Sequence, residues 1–306
     1  MKSLLRRRVV CKNDWAMKGC FLIVFLLSAL AIAAQEPQTQ SRPANAPPVY
    51  HHPVGLEFSY PSDWTVRDSQ SGEAELIPPD QQRNERGFTE GFLLWGVGGN
   101  FEGPVDSSLS AYVNALVKRT VPFLKQDGEP GKFKGGRSPA MVLSWSGASE
   151  DGIQVSAKAF VESHGSFAFA LMMLGTQERM AFREPAIREI VSTFRFVEGK
   201  RDPALAGTWK SAAAAAQTQS APDAGMEVDL RADGSFVFLD SSAGGGALNG
   251  SWYAGNGRLW FVYPESVFLN FGYELEGEPG ARKLTLRHSS GGFQTLIETP
   301  SRKQES

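Results

Sequence analysis

Two alternating runs meet at Ser163-His164-Gly165-Ser166, and no other feature of the chain limits its fold so tightly. Before the turn, Ile153, Val155, Ala157, Ala159 and Val161 fall on one face; after it, Phe167, Phe169, Leu171 and Met173 do the same. A period of two is the strand period, so the runs predict one long antiparallel hairpin. Phe92-Leu93-Leu94-Trp95-Gly96-Val97 and Ala140-Met141-Val142-Leu143-Ser144-Trp145 predict further strands. Upstream, Leu56, Phe58 and Tyr60 alternate against Glu57 and Ser59, and the chain turns at Pro61-Ser62-Asp63 into Trp64-Thr65-Val66. That pattern predicts an edge hairpin. Helical spacing appears twice. Leu109, Tyr112, Val113, Leu116 and Val117 form one apolar stripe behind Ser107 and Ser108 as caps, with Pro122 as its bound. A second helix is predicted from about Pro185, with Ile187, Ile190, Val191 and Phe194 on one face.

The second half has a different punctuation. Leu205-Ala206-Gly207-Thr208-Trp209 is echoed by Gly250-Ser251-Trp252, and Met226 to Leu230 and Phe236 to Leu239 flank Asp233-Gly234. Asp-Gly tolerates positive φ, which makes that pair a hairpin signal. Arg258 to Tyr263, Phe271 to Leu275, Lys283 to Arg287 and Phe293 to Ile297 follow at short intervals. Regularly spaced short strands predict a closed or nearly closed antiparallel barrel, with Ala212 to Ala216 and their polar neighbours as a loop after its first strand. The fold class expected is therefore α+β, an antiparallel sheet flanked by helices, joined to an all-β meander or small barrel.

Two resemblances follow from these residues. Phe58-Ser59-Tyr60-Pro61-Ser62-Asp63-Trp64, the mid-domain helix, the long hairpin and the closing Ile190-Val191-Ser192-Thr193-Phe194-Arg195-Phe196 resemble a PsbP-like domain over about residues 53–197. The resemblance implies a mostly non-catalytic role as an extrinsic subunit, assembly factor or exported protein. It transfers no metal or partner residue. The Gly-x-Trp pair around Asp233-Gly234 is similar to small lipocalin-like domains of exported bacterial proteins, over about residues 204–299.

The leader narrows the compartment. Cys11 and Cys20 precede the apolar run Phe21 to Ala34, and no cysteine follows it. The 14-residue run is shorter than the roughly 20 residues a spanning helix needs, follows basic residues and ends Ala31-Ile32-Ala33-Ala34. This reads as a secretory signal cleaved near Ala34, with an uncleaved anchor as the alternative. Cys20 stands before the run, which argues against lipid attachment, and Arg6-Arg7-Arg8 matches a twin-arginine signal only loosely. Translation starting at Met1 or at Met17 gives a workable leader; N-terminal sequencing of the precursor distinguishes them. Of 31 basic and 33 acidic residues the leader takes six and one, so the remaining 272 residues carry 25 against 32, a net charge of −7. That sign argues against nucleic acid as a partner. The expected organisation is signal 1–34, tether 35–50, α+β domain 51–198, linker 199–204, β domain 205–299 and tail 300–306.

The side chains carry no recognisable catalytic motif. Gly-x-Ser-x-Gly does not occur, and in Gly136-Arg137-Ser138-Pro139-Ala140 the proline lacks the N–H an oxyanion hole would use. Gly96-Val97-Gly98-Gly99-Asn100 is not followed directly by a helix, as a phosphate loop requires. His51 and His52 are adjacent on extended backbone and point apart, while His164 and His288 fall at turns. The pairs Glu73 with Glu75 and Glu274 with Glu276 read as solvated strand faces. No catalytic residue, cofactor or metal site is expected. Trp209, Phe236, Phe238 and Trp252 are the candidate ligand residues, as the interior of the barrel. The expected function is an exported, periplasmic or secreted, non-enzymatic interaction or scaffold protein of the cell envelope, with an envelope protein as partner. The alternative is a carrier or sensor of a small apolar ligand in the barrel; a hydrolase with an unrecognised site is the third reading.

Overall fold

The computed structural model describes residues 46–69, 73–81, 90–98, 107–137, 139–165, 167–211, 226–240, 247–263, 268–289 and 291–299. Its central hairpin is the one the alternation predicts. Strands β9 (Gln154–His164) and β10 (Phe167–Thr176) pair antiparallel from Phe167↔His164 to Thr176↔Val155. The sheet extends on one side through β5 (Gly91–Gly98), β4 (Ala74–Ile77) and β3 (Thr65–Asp68). On the other side lies β8 (Ala140–Ala148), edged by β6 (Lys125–Gln126) and β7 (Gly131–Phe133).

Both faces of this sheet are buried, because β10 is apolar at every position from Phe167 to Leu174. Ala168, Ala170 and Met172 join Val155, Ala157, Ala159 and Val161 in one cluster, covered by Leu109, Val113 and Val117 of α1 (Ser107–Thr120). Tyr112, counted in that helix's apolar stripe, is 41% exposed. Phe167, Phe169, Leu171 and Met173 form the opposite cluster with Ile187, Ile190 and Val191 of α2 (Gln177–Ser192).

Two expectations are corrected here. Helix α2 begins at Gln177, two turns before Pro185, which lies inside it. Thr176 caps the earlier start by accepting a hydrogen bond from the Arg179 N–H, Glu178 faces the positive end of the helix dipole, and Met180 and Arg183 add a buried turn. The second correction concerns the proposed edge hairpin. Strand β2 (Leu56–Ser59) does not pair with β3; it lies between β1 (Val49–His51) and β11 (Arg195–Phe196) in a separate small sheet. Leu56 and Phe58 must reach the α2 core, where Phe194 packs 5.5 Å from Phe58, and the Ser59 N–H is taken by the Thr193 hydroxyl. Trp64 is thereby delivered to the large sheet, 5.3 Å from Phe92 and under the Arg183 guanidinium.

After a 3₁₀ turn at Pro203–Leu205, the strands β12 (Gly207–Ser211), β13 (Met226–Leu230), β14 (Ser235–Asp240), β15 (Leu248–Gly255), β16 (Arg258–Val262), β17 (Phe268–Glu276), β18 (Lys283–Arg287) and β19 (Phe293–Thr299) close into a barrel. The Ala212 to Ala216 run lies outside the described residues. Closure is made by β12 against β19, with Thr208↔Thr299 and Ser211↔Leu296 in register. The two Gly-x-Trp glycines serve different needs. Gly207 has φ of 151°, while a Cβ on Gly250 would lie 2.2 Å from the Val262 carbonyl oxygen and 2.8 Å from the Phe236 ring.

The barrel and the sheet share a core. Trp260 and Val262 point outward from β16, yet they are 4% and 2% exposed because they join the Phe169 cluster. His52 packs between Phe169 and Trp260, with ring centroids 4.8 and 4.7 Å away. The connecting chain is stitched in as well: the Lys200 N–H donates to the Pro53 carbonyl and the Lys200 carbonyl accepts from the Ala254 N–H. Trp64→Ala and Trp260→Ala are each expected to cost about 3–5 kcal/mol in urea unfolding, through lost burial and a cavity. A loss below about 1 kcal/mol for either variant would place that ring outside the core.

Candidate functional site

Partners across an antiparallel pair share a face, so the registers fix which barrel residues look inward. Leu230↔Phe236, Val228↔Phe238, Phe236↔Gly250, Trp252↔Phe261 and Leu284↔Leu296 belong to the inner face. Trp209, Phe236, Phe238 and Trp252, the four residues nominated by the sequence, all belong to this interior cluster. Trp209, Phe236 and Trp252 are fully buried, and Phe238 is half-buried. Both tryptophans are tied to backbone: the Trp209 indole N–H donates to the Leu205 carbonyl at 2.9 Å and that of Trp252 to the Arg231 carbonyl at 2.9 Å. In the same cluster Phe236 meets Phe261 edge-on at 4.9 Å and Tyr263 at 5.1 Å.

One end of the barrel is sealed by charge. The Arg282 guanidinium lies 5.4 Å over the Trp209 ring and forks onto Glu298, donating from Nε at 2.9 Å. Arg282 also donates to the Ala204 carbonyl of the 3₁₀ turn, and the Gly280 N–H donates to Glu298 at 2.7 Å. The hydrogen bonds from Arg282 hold the Glu298 carboxyl down at about 2, against the opposing pull of burial. Sequence reasoning missed this plug, because residues 282 and 298 meet only when β18 and β19 pair. At the opposite end, inward-facing Leu248 and Leu269 are 52% and 36% exposed.

A second charged group ties α2 to the sheet. Glu90 is 3% exposed and accepts from Arg179 Nε at 2.9 Å, from its terminal nitrogen at 2.7 Å, and from Arg183 at 3.1 Å. Asp80 accepts from both arginines. Burial alone would raise the Glu90 pKa; the hydrogen bonds from Arg179 and Arg183 outweigh it and hold the carboxyl below its ordinary value. The i,i+4 spacing of Arg179 and Arg183 was the available signal, hidden by the late helix start.

The other sequence candidates lie apart. His51 is exposed and bonds Glu57 at 2.5 Å, whereas His52 is buried and its Nδ1 accepts the Val54 N–H at 3.2 Å. His164 stacks on Phe196 at 4.6 Å, and His288 lies edge-on to Phe271 at 5.8 Å. Glu73 accepts from the Ser69 hydroxyl, Glu75 from Arg67 and Glu274 from Arg287. Gly96 and Gly98 lie within β5, while Gly99, Asn100 and Ser138 lie outside the described residues. Among the described residues no three His, Cys, Asp or Glu side chains gather as a metal site.

No protein-family model matches the chain, and no curated protein does. Solved structures give partial likenesses. A Bacteroides thetaiotaomicron protein is similar at 11% identity and a TM-score of 0.35, covering 69% of this chain and 87% of its own. Cyanobacterial PsbP (CyanoP) from Synechocystis sp. PCC 6803 is similar at 12% identity and 0.37, covering 53% and 98%. LpqN, involved in cell envelope biogenesis of Mycobacterium tuberculosis, is similar at 17% identity and 0.34, covering 49% and 90%. At these scores no role passes from those proteins to this chain.

The buried histidine at the junction makes stability depend on pH. Burial lowers the His52 pKa from 6.5 to about 3, so the folded state stays neutral where the unfolded chain takes a proton. The contribution is fully present above pH 6.5 and is lost as pH falls toward 3. Glu90, Glu184 and Glu298 are shifted down from 4.5, so their losses begin only below that pH. Urea unfolding between pH 6.5 and 4.5 is therefore expected to show falling stability that His52→Phe flattens; an unchanged slope in the variant would assign the decline elsewhere.

Proposed function

We propose that the protein is an exported, non-catalytic interaction protein of the cell envelope, with its sheet and flanking helices as a PsbP-like platform and its barrel as a lipocalin-like companion. The observation that carries this reading is the filled barrel: Trp209, Phe236 and Trp252 occupy the space a ligand would need, and each indole N–H is already bonded to backbone. The shared Trp260 and His52 core supports it too, since it makes two folds present one rigid surface. Arg282 at the barrel end and Arg179 and Arg183 on α2 are engaged in ion pairs that hold elements together. Export rests on the leader, whose residues lie outside the described ones. No described helix is long and apolar enough to cross a membrane.

A second reading has its own observation. Leu248 and Leu269 expose apolar surface on the inner face at the unsealed end, beside half-buried Phe238, as a shallow site for a small apolar ligand requires. Titrating the leader-free chain with an apolar fluorescent probe separates the two readings. Binding no tighter than about 100 µM, roughly −5.5 kcal/mol, is expected of the interaction protein. Saturable binding near about 1 µM that Leu248→Asp abolishes would replace it with the carrier.

A further inference from the structure

The outer face of the barrel, across β16 to β19 and separate from the filled interior, carries a cleft of about 680 Å³. It is half open and lined mostly by polar side chains, so a ligand there stays partly in water. Strand registers show how it forms. Arg258↔Gly272, Gly272↔Arg287 and Arg287↔Phe293 place four residues in one row across β16, β17, β18 and β19. The second strand of the row, β17, thus brings no side chain between two arginines. A row spaced at about 4.8 Å per strand leaves a floor at Gly272, with the Arg258 guanidinium turned onto Asn270 and that of Arg287 onto Glu274, and a glycine inside a strand is one way to let a ligand come close. A Cβ there would meet its nearest neighbour, Arg287 Cβ, at 3.7 Å, an ordinary contact. The backbone therefore does not demand glycine at this position.

The wall chemistry alternates donors with acceptors. Glu274↔Thr285↔Thr295 forms the next row. Arg287 donates to both oxygens of Glu274 at 2.7 Å, Lys283 lies 3.6 Å from Glu276, and Arg258 donates to Asn270. Phe293, at the end of the first row, is 77% exposed, the most exposed of the large apolar side chains among the described residues. Carboxylates beside guanidiniums, all of them open to solvent, suit a ligand whose groups both donate and accept, as sugar hydroxyls do. An anion would meet Glu274 and Glu276, and an apolar ligand would strip water from ion pairs without replacing their hydrogen bonds. The exposed phenyl face offers apolar area for the C–H face of a ring. We propose that this cleft binds a neutral saccharide, with Phe293 as the platform for a sugar ring and the Arg287–Glu274 pair bonding adjacent hydroxyls over Gly272. The proposal is independent of what the platform or the barrel interior binds.

The test titrates the leader-free chain with maltotriose, cellotriose and N-acetylchitotriose while amide chemical shifts are recorded. At least one sugar is expected to bind with a Kd of about 1 mM or tighter, with shifts centred on Gly272, Thr285, Arg287 and Phe293. Phe293→Ala, at an exposed position that leaves the fold intact, is expected to weaken binding about tenfold or more, and Gly272→Val to do the same by filling the floor. Absence of shifts at about 10 mM of all three sugars overturns the proposal, as does binding centred elsewhere or unchanged in both variants. Binding of dextran sulfate in place of the neutral sugars overturns it as well.

Discussion

Strand β10 has no face it can give to water. Its odd positions, Phe167 to Met173, and its even ones, Ala168 to Met172, are all buried, and the rest of the molecule is arranged to cover both. One side is small and flat, so a single helix, α1, closes it with Leu109, Val113 and Val117. The other side is bulky and uneven. Helix α2 covers part of it, the small β1-β2-β11 sheet another part, and the outer surface of the barrel completes the cover through Trp260 and Val262. An antiparallel sheet with one wet face would need none of this.

The barrel is therefore asked to do two things with one wall. On β16, Leu259 and Phe261 face the barrel interior while Trp260 and Val262 face the sheet, so the strand is buried on both sides like β10. The same dual burial explains His52. A neutral imidazole between two aromatic rings supplies a polar edge for the Val54 N–H without carrying a charge into the junction. Charges that are buried elsewhere, at Glu90 and Arg183, face opposite charges, although the Arg183 Nε has no hydrogen-bond partner among the described residues.

Much of this was legible in the residues, and the parts that were not share a cause. The β9–β10 hairpin and the barrel could be read because alternation and Asp233-Gly234 are local signals, fixed by neighbours in sequence. The pairing of β2 could not, since Leu56 and Phe58 would alternate identically in a hairpin with β3 or beside β11. Proline at 185 looked like a helix start because the cap that decides the matter, Thr176, ends a strand and so reads as part of it. In the barrel, tryptophans 209 and 252 announced the interior, but the Arg282–Glu298 plug lies in two segments with no common motif. Trp260 was equally opaque: an outward aromatic is a surface residue until a second sheet arrives to cover it. The row of Arg258, Gly272, Arg287 and Phe293 exists only in the register of four strands.

The closing pairs of both folds join distant points of the chain. Arg195 reaches back to Glu57 across 138 residues, and Thr299 to Thr208 across 91. Because the entropy of gathering a long loop must be met before such pairs return anything, hairpins are expected to form before these seams. Until they do, the open edges of β2, β12 and β19 are exposed together with the apolar residues they will cover. On that order, aggregation would compete with seam closure rather than with collapse, and a slower closure would lower the yield of native protein.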